Sequence, residues 1–554
     1  MLGVDVTRQT FMELLPVIKG KIDQAVFVAV DLEFTGLNIN SHTKSSLFDS
    51  ADDRYQKAKR NIQDFTIAQF GLAAYHSVGT NRYDAYIFNC YLFPEAHAGM
   101  DSCISMQASS IQFLTQYGFD FNKMLYEGIP FVNQSQKVRM ENYWTRHTSG
   151  RQELTDTQKN ILRGYSVRLT RWLVQARDGD IFTLDKTSEN GDVPNTALHE
   201  ILLHRIENIW PRPSDDDVLI VEKVSAERRK ELMKTSSTFI QDKDKFVENS
   251  TGFTRVIDYL ISKKKIIVGH NLYLDLMFIY EKFINPLPSS YTEYKAVLHS
   301  CFPHIYDTKF LALQLRRSLE SSVHGYDQTS LSELYTHMRD SDRTSGLLFA
   351  PSVHIANSTR DEQEGGRNGQ SSDDVEGQIH EAGFDSYMCG YVFLRLTHLL
   401  TLNVSDAALA SHPIPFYDYQ IPLSKYKNRV NMIRGALHHI CLDGPDPESS
   451  RPDQLFVATR KYNSQLNIDE ISLLLSSFGS VDINIISHNK AVVAVNSFSS
   501  SRRILEAFRQ HDKFVVKKYS SFRHSPRVTR FLMAGLALTA GICAAALIRS
   551  VRKR

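Results

Sequence analysis

Between residues 25 and 93 the apolar positions come in three runs, "AVFVAVDLEF", "FTIAQFGLAAYH" and "YDAYIFNCYLF". Each is about 10 to 12 residues long, rich in β-branched and aromatic side chains, and set off by polar stretches. The pattern predicts a three-strand meander, entered through a short amphipathic helix near the N-terminus. From about 150 to 245 the chain becomes charged and its apolar spacing helical, as in "LTDTQKNILRGYSVRLTRWLVQA" and "TALHEILLHRIENIW". That change predicts a small, mainly helical inserted domain. The earlier style resumes in "RVIDYLISKKKIIVGHNLYLDLMFIYEKF", read as a helix, a short buried strand at 266–268 and a second helix. Residues 1–149 and 246–415 are therefore expected to be two parts of one α/β domain. Within the second part, residues 355–377 hold almost no apolar side chains to offset the entropy of ordering, and a mobile loop is expected there.

Over 430–520 the order changes again. Strand "DQLFVATR", helix "IDEISLLLSSFG", strands "VDINIIS" and "AVVAVN", helix "SSRRILEAFRQ" and strand "KFVVKKY" match the βαββαβ order of an RNA-recognition-motif-like α+β domain. Its two central strands offer one aromatic, Phe456, so a base-stacking platform is largely missing and a structural or partner-binding role is expected. The last feature is Phe531 to Ile548, 18 residues without a charge and bracketed by arginines. As a helix it would span about 27 Å, just enough for a hydrocarbon core of about 30 Å. It is expected to be a single transmembrane tail anchor that leaves the rest of the chain in the cytosol. Its many Ala and Gly residues and basic end favour the mitochondrial outer membrane, with the endoplasmic reticulum as the alternative.

Composition narrows the class. The 554 residues are 42% apolar and 23% charged, ordinary globular material for several domains, and a net charge of +2 gives no global attraction to polyanions. The six cysteines form no CxxC and no close pair, which excludes a disulfide framework and a zinc ribbon and fits a reducing compartment.

The chemistry lies in acids placed where a core is being built. Asp31 and Glu33 stand at i and i+2 of the first strand, so both project from one face while Leu32 and Phe34 pack on the other. A bare DxE is more often a pair of solvated acids. Here it is joined by Asp275, four residues past Asn271 in "VGHNLYLDLM", and by His380 and Asp385, five apart in "HEAGFDSYMCG". Alone, an Asp at a helix start is a cap and a His beside a polar loop is exposed. Together, four carboxylates converging suit two divalent cations held by hard oxygen ligands about 3.5 to 4 Å apart, with His380 as general base. Lys309 in "YDTKF" and Asn271 are candidates for holding substrate, and Asp307 is either an orienting residue or a turn residue.

These motifs resemble the DEDDh 3′-to-5′ exonucleases of the ribonuclease H-like fold. "DLEFTGL", "MQASSIQFLTQYGFDFNKMLYEGIPF", "VGHNLYLDLM", "FPHIYDTKFLA" and "HEAGFDSYMCGYVF" are similar to the poly(A)-specific ribonuclease branch over most of residues 20–400. A C-terminal membrane span added to them is similar to the Trimmer subgroup, which shortens the 3′ ends of PIWI-interacting RNA precursors. The resemblance implies that Asp31, Glu33, Asp275 and Asp385 hold two Mg²⁺ ions, that His380 is the general base, and that nucleoside 5′-monophosphates are released. It implies as partners single-stranded RNA 3′ ends, a PIWI protein carrying the precursor, a Tudor-type membrane scaffold protein and the lipid bilayer. It also implies that the insert is a nucleic-acid-binding domain of the Arg-x-x-x-His type, although no literal Arg-x-x-x-His occurs there. Alternatives of the same chemistry are an mRNA poly(A) deadenylase or a nuclease acting on DNA. One of another class is an inactive membrane-bound RNA tether.

Overall fold

The computed structural model describes residues 3–40, 43–95, 102–148, 156–184, 202, 206–213, 219–235, 247–319, 329–344, 349–357, 380–404, 412–449, 451–461 and 464–551. The N-terminal strand β1 (Val4–Val6) leads into the amphipathic helix Arg8–Gln24, which buries Phe11, Leu15, Ile18 and Ile22 at helical spacing. The expected meander follows as β2 (Phe27–Phe34), β3 (Ile67–Gly79) and β4 (Arg82–Tyr91), paired antiparallel in that order. The link between β2 and β3 is more than a turn. It contains the helix Ala51–Asp64, started by a reciprocal cap between Ser50 and Asp53 and anchored by buried Tyr55, Ala58 and Ile62.

The inserted domain corrects the mainly helical expectation. Besides the helices Asp156–Gln175 and Ala226–Thr235, its described residues form an antiparallel sheet of β5 (Ile181–Leu184), β7 (Leu219–Lys223) and β6 (Ile209–Pro213), in that spatial order. Ile209 and Trp210, read as the end of a helix, begin a strand. Alternate residues Leu219 and Val221 are buried against Leu169 of the long helix, a sheet-on-helix core that short alternating runs do not reveal.

The main sheet then resumes with β8 (Ile267–Gly269) parallel to β2 and β9 (Ile305–Asp307) parallel to β8. Two strands that the sequence does not announce, β1 and β10 (Ser352–Ile355), both add in parallel to the outer side of β4. The result is a seven-stranded mixed sheet ordered β1-β4-β3-β2-β8-β9, with β10 also on β4. Core packs on both faces. One cluster takes Val28, Val30 and Leu32 of β2, and the other takes Phe27 and Ala29 together with the helix Ala382–Val404. Of the expected mobile loop 355–377, residues 358–377 lie outside the described residues.

The expected start of the C-terminal unit at 430 is corrected as well. The hairpin β11 (Arg429–Asn431) and β12 (His439–Cys441) buries Val430, Met432 and Ile440 in the same cluster as the nuclease sheet, so it belongs to that core. Beyond it, β13 (Leu455–Thr459), β14 (Val481–Ser487), β15 (Lys490–Val495) and β16 (Phe514–Lys518) form an antiparallel sheet ordered β14-β15-β13-β16. With the helices Ile468–Ser476 and Phe498–Ala507 this is the expected βαββαβ order.

The expected membrane span is not borne out. Among the described residues no helix is long and apolar enough to cross a membrane. The run 531–548 does lie in a helix, Pro526–Val551, but its side chains are described only through residue 546.

Candidate active site

Alternation along β2 builds the site. Phe27 and Ala29 face the helix Ala382–Val404, and by the period of two Asp31 and Glu33 continue that face. Leu32 is buried in the opposite cluster and Phe34 packs against it, stacking on Phe278 at 4.1 Å, as the sequence indicates. One strand face thus turns from apolar to acidic where the helix begins.

The helix gets close because of a glycine. Gly71 of β3 pairs with Asp31, and a Cβ on it would lie 1.8 Å from the Ala382 carbonyl oxygen. Only glycine lets the first turn rest on the sheet at this point. The N–H groups of that turn are satisfied from the strands: Ala382 donates to Gln69 Oε1 at 2.9 Å and Gly383 to Asn89 Oδ1 at 2.6 Å. Gln69 is the cross-strand partner of Glu33, so the same pair of strands carries the acids and caps the helix that brings Asp385 to them. Sequence reasoning missed Gly71, Gln69 and Asn89. The one signal was a glycine inside a strand pattern, "AQFGLAA".

Asp275 enters from the helix Tyr273–Ile279, which follows β8, and the nearby backbone N–H groups of its own residue and of Leu32 act to lower its pKa. All four acids are raised. Burial first, and next the charges of Asp385 and Asp275, push Asp31 and Glu33 well above the carboxylate range. Burial likewise lifts Asp275 and Asp385 to about 7. No hydrogen bond from a cationic side chain relieves any of the four among the described residues.

His380 completes the group. Its Nδ1 lies 3.8 Å from Asp385 Oδ2, and its backbone N–H donates to Asp385 Oδ1 at 3.2 Å across a left-handed φ of 72°. The ligating atoms of Glu33, His380 and Asp385 all lie within 4.8 Å of one another. The imidazole ring is covered edge-on by Tyr117 at 4.1 Å and Phe113 at 4.8 Å, and burial lowers its pKa.

The remaining candidates have other surroundings. Asp307 at the end of β9 accepts the backbone N–H groups of Asn271, Leu272, Lys309, Phe310 and Asn431, at 2.9 to 3.3 Å. It is the orienting residue of the two readings. Asn271 sits in a left-handed turn with φ of 62°, and its side-chain oxygen accepts from Asn431 Nδ2. Lys309 is half-buried with its ammonium pKa lowered by burial, and its charge acts on Asp307, Glu333 and His270. Among the described residues, neither Lys309 nor Asn271 forms a hydrogen bond or ion pair with the four acids.

The donor set suits a metal. Buried, mutually repelling carboxylates with an imidazole beside them are hard oxygen ligands in need of positive charge.

Comparison with known proteins agrees. The model of the CAF1 family of ribonucleases matches residues 6–393. Poly(A)-specific ribonuclease PNLDC1 of Mus musculus is 31% identical, with 96% of each chain covered. The pre-piRNA 3′-exonuclease trimmer of Bombyx mori is 28% identical, with 97% of each chain covered. Poly(A)-specific ribonuclease PARN of Homo sapiens is 25% identical over 94% of this chain and 80% of its own. Among solved structures, S. pombe Pop2p in its Mg²⁺- and Mn²⁺-bound form covers 73% of this chain and 95% of its own at a TM-score of 0.33 and 14% identity. On the family model and these near full-length relatives, the chain belongs to the CAF1 family of ribonucleases and is a 3′-to-5′ exoribonuclease.

Proposed function

We propose that the enzyme trims the 3′ ends of precursors of PIWI-interacting RNAs and releases nucleoside 5′-monophosphates. The observation that carries the chemistry is the convergence of Asp31 and Glu33, half-buried, with Asp275 and Asp385, buried, all four raised and with no cationic side chain hydrogen-bonded to them among the described residues. We read them as the holders of two divalent cations, Mg²⁺ by preference. When bound, such ions supply positive charge to the attacking and departing oxygens of the phosphodiester. The protein does the rest. β2 fixes Asp31 and Glu33 on a rigid sheet, and the Gln69 and Asn89 contacts fix the turn that carries Asp385. His380, kept neutral near pH 7 by its lowered pKa, accepts the proton of the attacking water on its ring and would then stand as an imidazolium beside Asp385.

The substrate reading rests on the silkworm relative, whose printed name is a pre-piRNA 3′-exonuclease and whose whole length this chain matches. A second reading, a poly(A) deadenylase, is favoured by the printed names of the mouse and human relatives. Trimming rates on mixed-sequence RNA held by a PIWI protein, set against free poly(A), separate them. Faster loss of poly(A) overturns the first reading.

In this reading the C-terminal unit is an RNA-recognition-motif-like fold used for docking. Phe456, its one candidate stacking ring, is stacked by His524 at 4.2 Å. Asp482, on the same open face, accepts from Ser46, Leu47 and Arg434 of the nuclease part. The helix Pro526–Val551 exposes Phe531, Met533, Leu536, Leu538 and Ile542, each more than 60% accessible, and we take it as the anchor to a lipid bilayer, at the mitochondrial outer membrane, beside a Tudor-type scaffold. Flotation of the full chain with liposomes tests this. A chain that stays at the bottom of the gradient removes the anchor.

A further inference from the structure

Where the helix Ala51–Asp64, the start of the helix Tyr273–Ile279 and the hairpin β11–β12 meet, three buried donor atoms have no acceptor: Nε of Arg54, Nε of Arg434 and the hydroxyl of Tyr273. They belong to one place. The Arg54 guanidinium lies over the Tyr273 ring at 5.9 Å, and it and Arg434 repel each other, each feeling the other's positive charge. Tyr273 is 4% exposed, and Arg54 opposes the rise that burial imposes on its hydroxyl pKa. The nearby carboxylates are already engaged. Asp482 is taken by Arg434, Ser46 and Leu47, and Asp49 by Lys57 and the Ser46 N–H. The Arg54 side chain forms no hydrogen bond or ion pair among the described residues, and burial depresses its pKa. Two guanidinium groups that feel each other's charge, each with a buried Nε that has no acceptor, are costly unless an anion joins them. The planar fork of arginine matches phosphate in particular.

We propose that Arg54 and Arg434 form a binding site for a phosphate group, and that in the working enzyme this is a backbone phosphate of the RNA upstream of the bond being cut. The identification with RNA rests on the exoribonuclease reading above. Tyr273 and Asp275 are two residues apart on one helix and stand on nearly opposite sides of it, so that helix links the site to the acids. The chain that leaves the acids on β2 runs directly to the helix that carries Arg54. Gln107 holds Leu37 and Asn38 just past the acids, Asn61 holds Ile39, and Ser46 and Leu47 dock on Asp482. A phosphate at this junction would tie the C-terminal unit to the RNA path without any base stacking.

The test uses the full chain and its Arg54→Gln and Arg54→Lys forms, with thermal melting to confirm folding. The ratio of kcat/KM on a longer mixed-sequence RNA to that on a dinucleotide should fall about fivefold in Arg54→Gln. It should recover in part in Arg54→Lys, because Lys restores the charge without the fork. The slope of log KM against log salt on the longer RNA should flatten by about 0.7, the share of one single-strand phosphate. A second arm adds inorganic phosphate alone. If phosphate raises the melting temperature of the wild type and not of Arg54→Gln while the RNA ratio is unchanged, the site stands and its assignment to RNA is overturned. If neither the ratio nor the phosphate shift responds to Arg54→Gln, the proposal is wrong. A wild type that cuts neither RNA defeats the exoribonuclease reading instead, and the phosphate arm still reports on the site.

Discussion

The main sheet and the C-terminal sheet each carry an acid on one face, and their surroundings differ. In the C-terminal sheet Asp482 is surrounded by donors, Ser46 Oγ at 3.1 Å, Leu47 N at 2.6 Å and Arg434 at 2.6 Å, and the result is a domain contact. In the main sheet Asp31 and Glu33 meet two further acids and no cation, and the result is a group held at the edge of instability. Asp307, two strands from Asp31, shows that the main sheet can satisfy a buried carboxylate fully when it needs one, with N–H groups from two loops. A satisfied acid holds structure together, and an unsatisfied one waits for something that is not protein.

The difference can be broken most strongly at Asp31. Asp31→Asn should lower kcat by about a thousandfold or more, because charge stabilisation at the reacting phosphate goes with it. It should also keep or raise the melting temperature without metal, since it removes repulsion. A variant that is both inactive and clearly less stable would show that Asp31 is structural. Replacing the satisfied acid should do the reverse. Asp307→Ala leaves five backbone donors unpaired and should cost about 3 to 5 kcal/mol in chemical unfolding, with any surviving folded fraction active. His380→Ala should cost about a hundredfold in kcat with little change in melting temperature, as loss of a general base does.

pH sharpens the same contrast. Asp275 and Asp385 have folded pKa values near 7, above the ordinary value of about 4, so the folded state binds protons that the unfolded state has released. Their contribution is fully present below about pH 4 and is lost as pH rises through about 7. The metal-free enzyme should therefore melt lower at pH 7.5 than at pH 5, and Mg²⁺ or Mn²⁺ should raise the melting temperature more at pH 7.5. An equal metal shift at both values would mean that the ions bind elsewhere. The smallest effect is expected at the satisfied surface acid, where Asp482→Ala should cost about 1 to 3 kcal/mol and loosen the C-terminal unit, read as faster proteolysis between residues 441 and 455.

The acids were legible in the sequence because their signal is local. A DxE inside a strand, an Asp one turn into a helix, and a His and Asp flanking a helix start each need only a few residues to be seen. The meander and the βαββαβ order were legible for the same reason, as runs of alternating or helical spacing. What stayed hidden depends on distant partners. β1 and β10 are three and four residues long and become strands only because β4 has a free side. The hairpin at 429–441 reads as the start of a new domain until Asn428 and Asn431 are seen bonded to Ile305 and Asp307. The insert's sheet rests on strands of four and five residues, too short to be distinguished from helix ends by periodicity. Gly71 gives nothing away in one dimension. Its meaning is the Ala382 carbonyl pressed against it.

The most direct measurement is release of mononucleotides from a 3′-labelled single-stranded RNA by the full chain, with and without Mg²⁺, beside the Asp31→Asn form. The account expects single nucleoside 5′-monophosphates from the wild type with Mg²⁺, and none after chelation or from Asp31→Asn. Wild-type release that persists in a chelator, or an Asp31→Asn protein that still shortens the RNA, would contradict it.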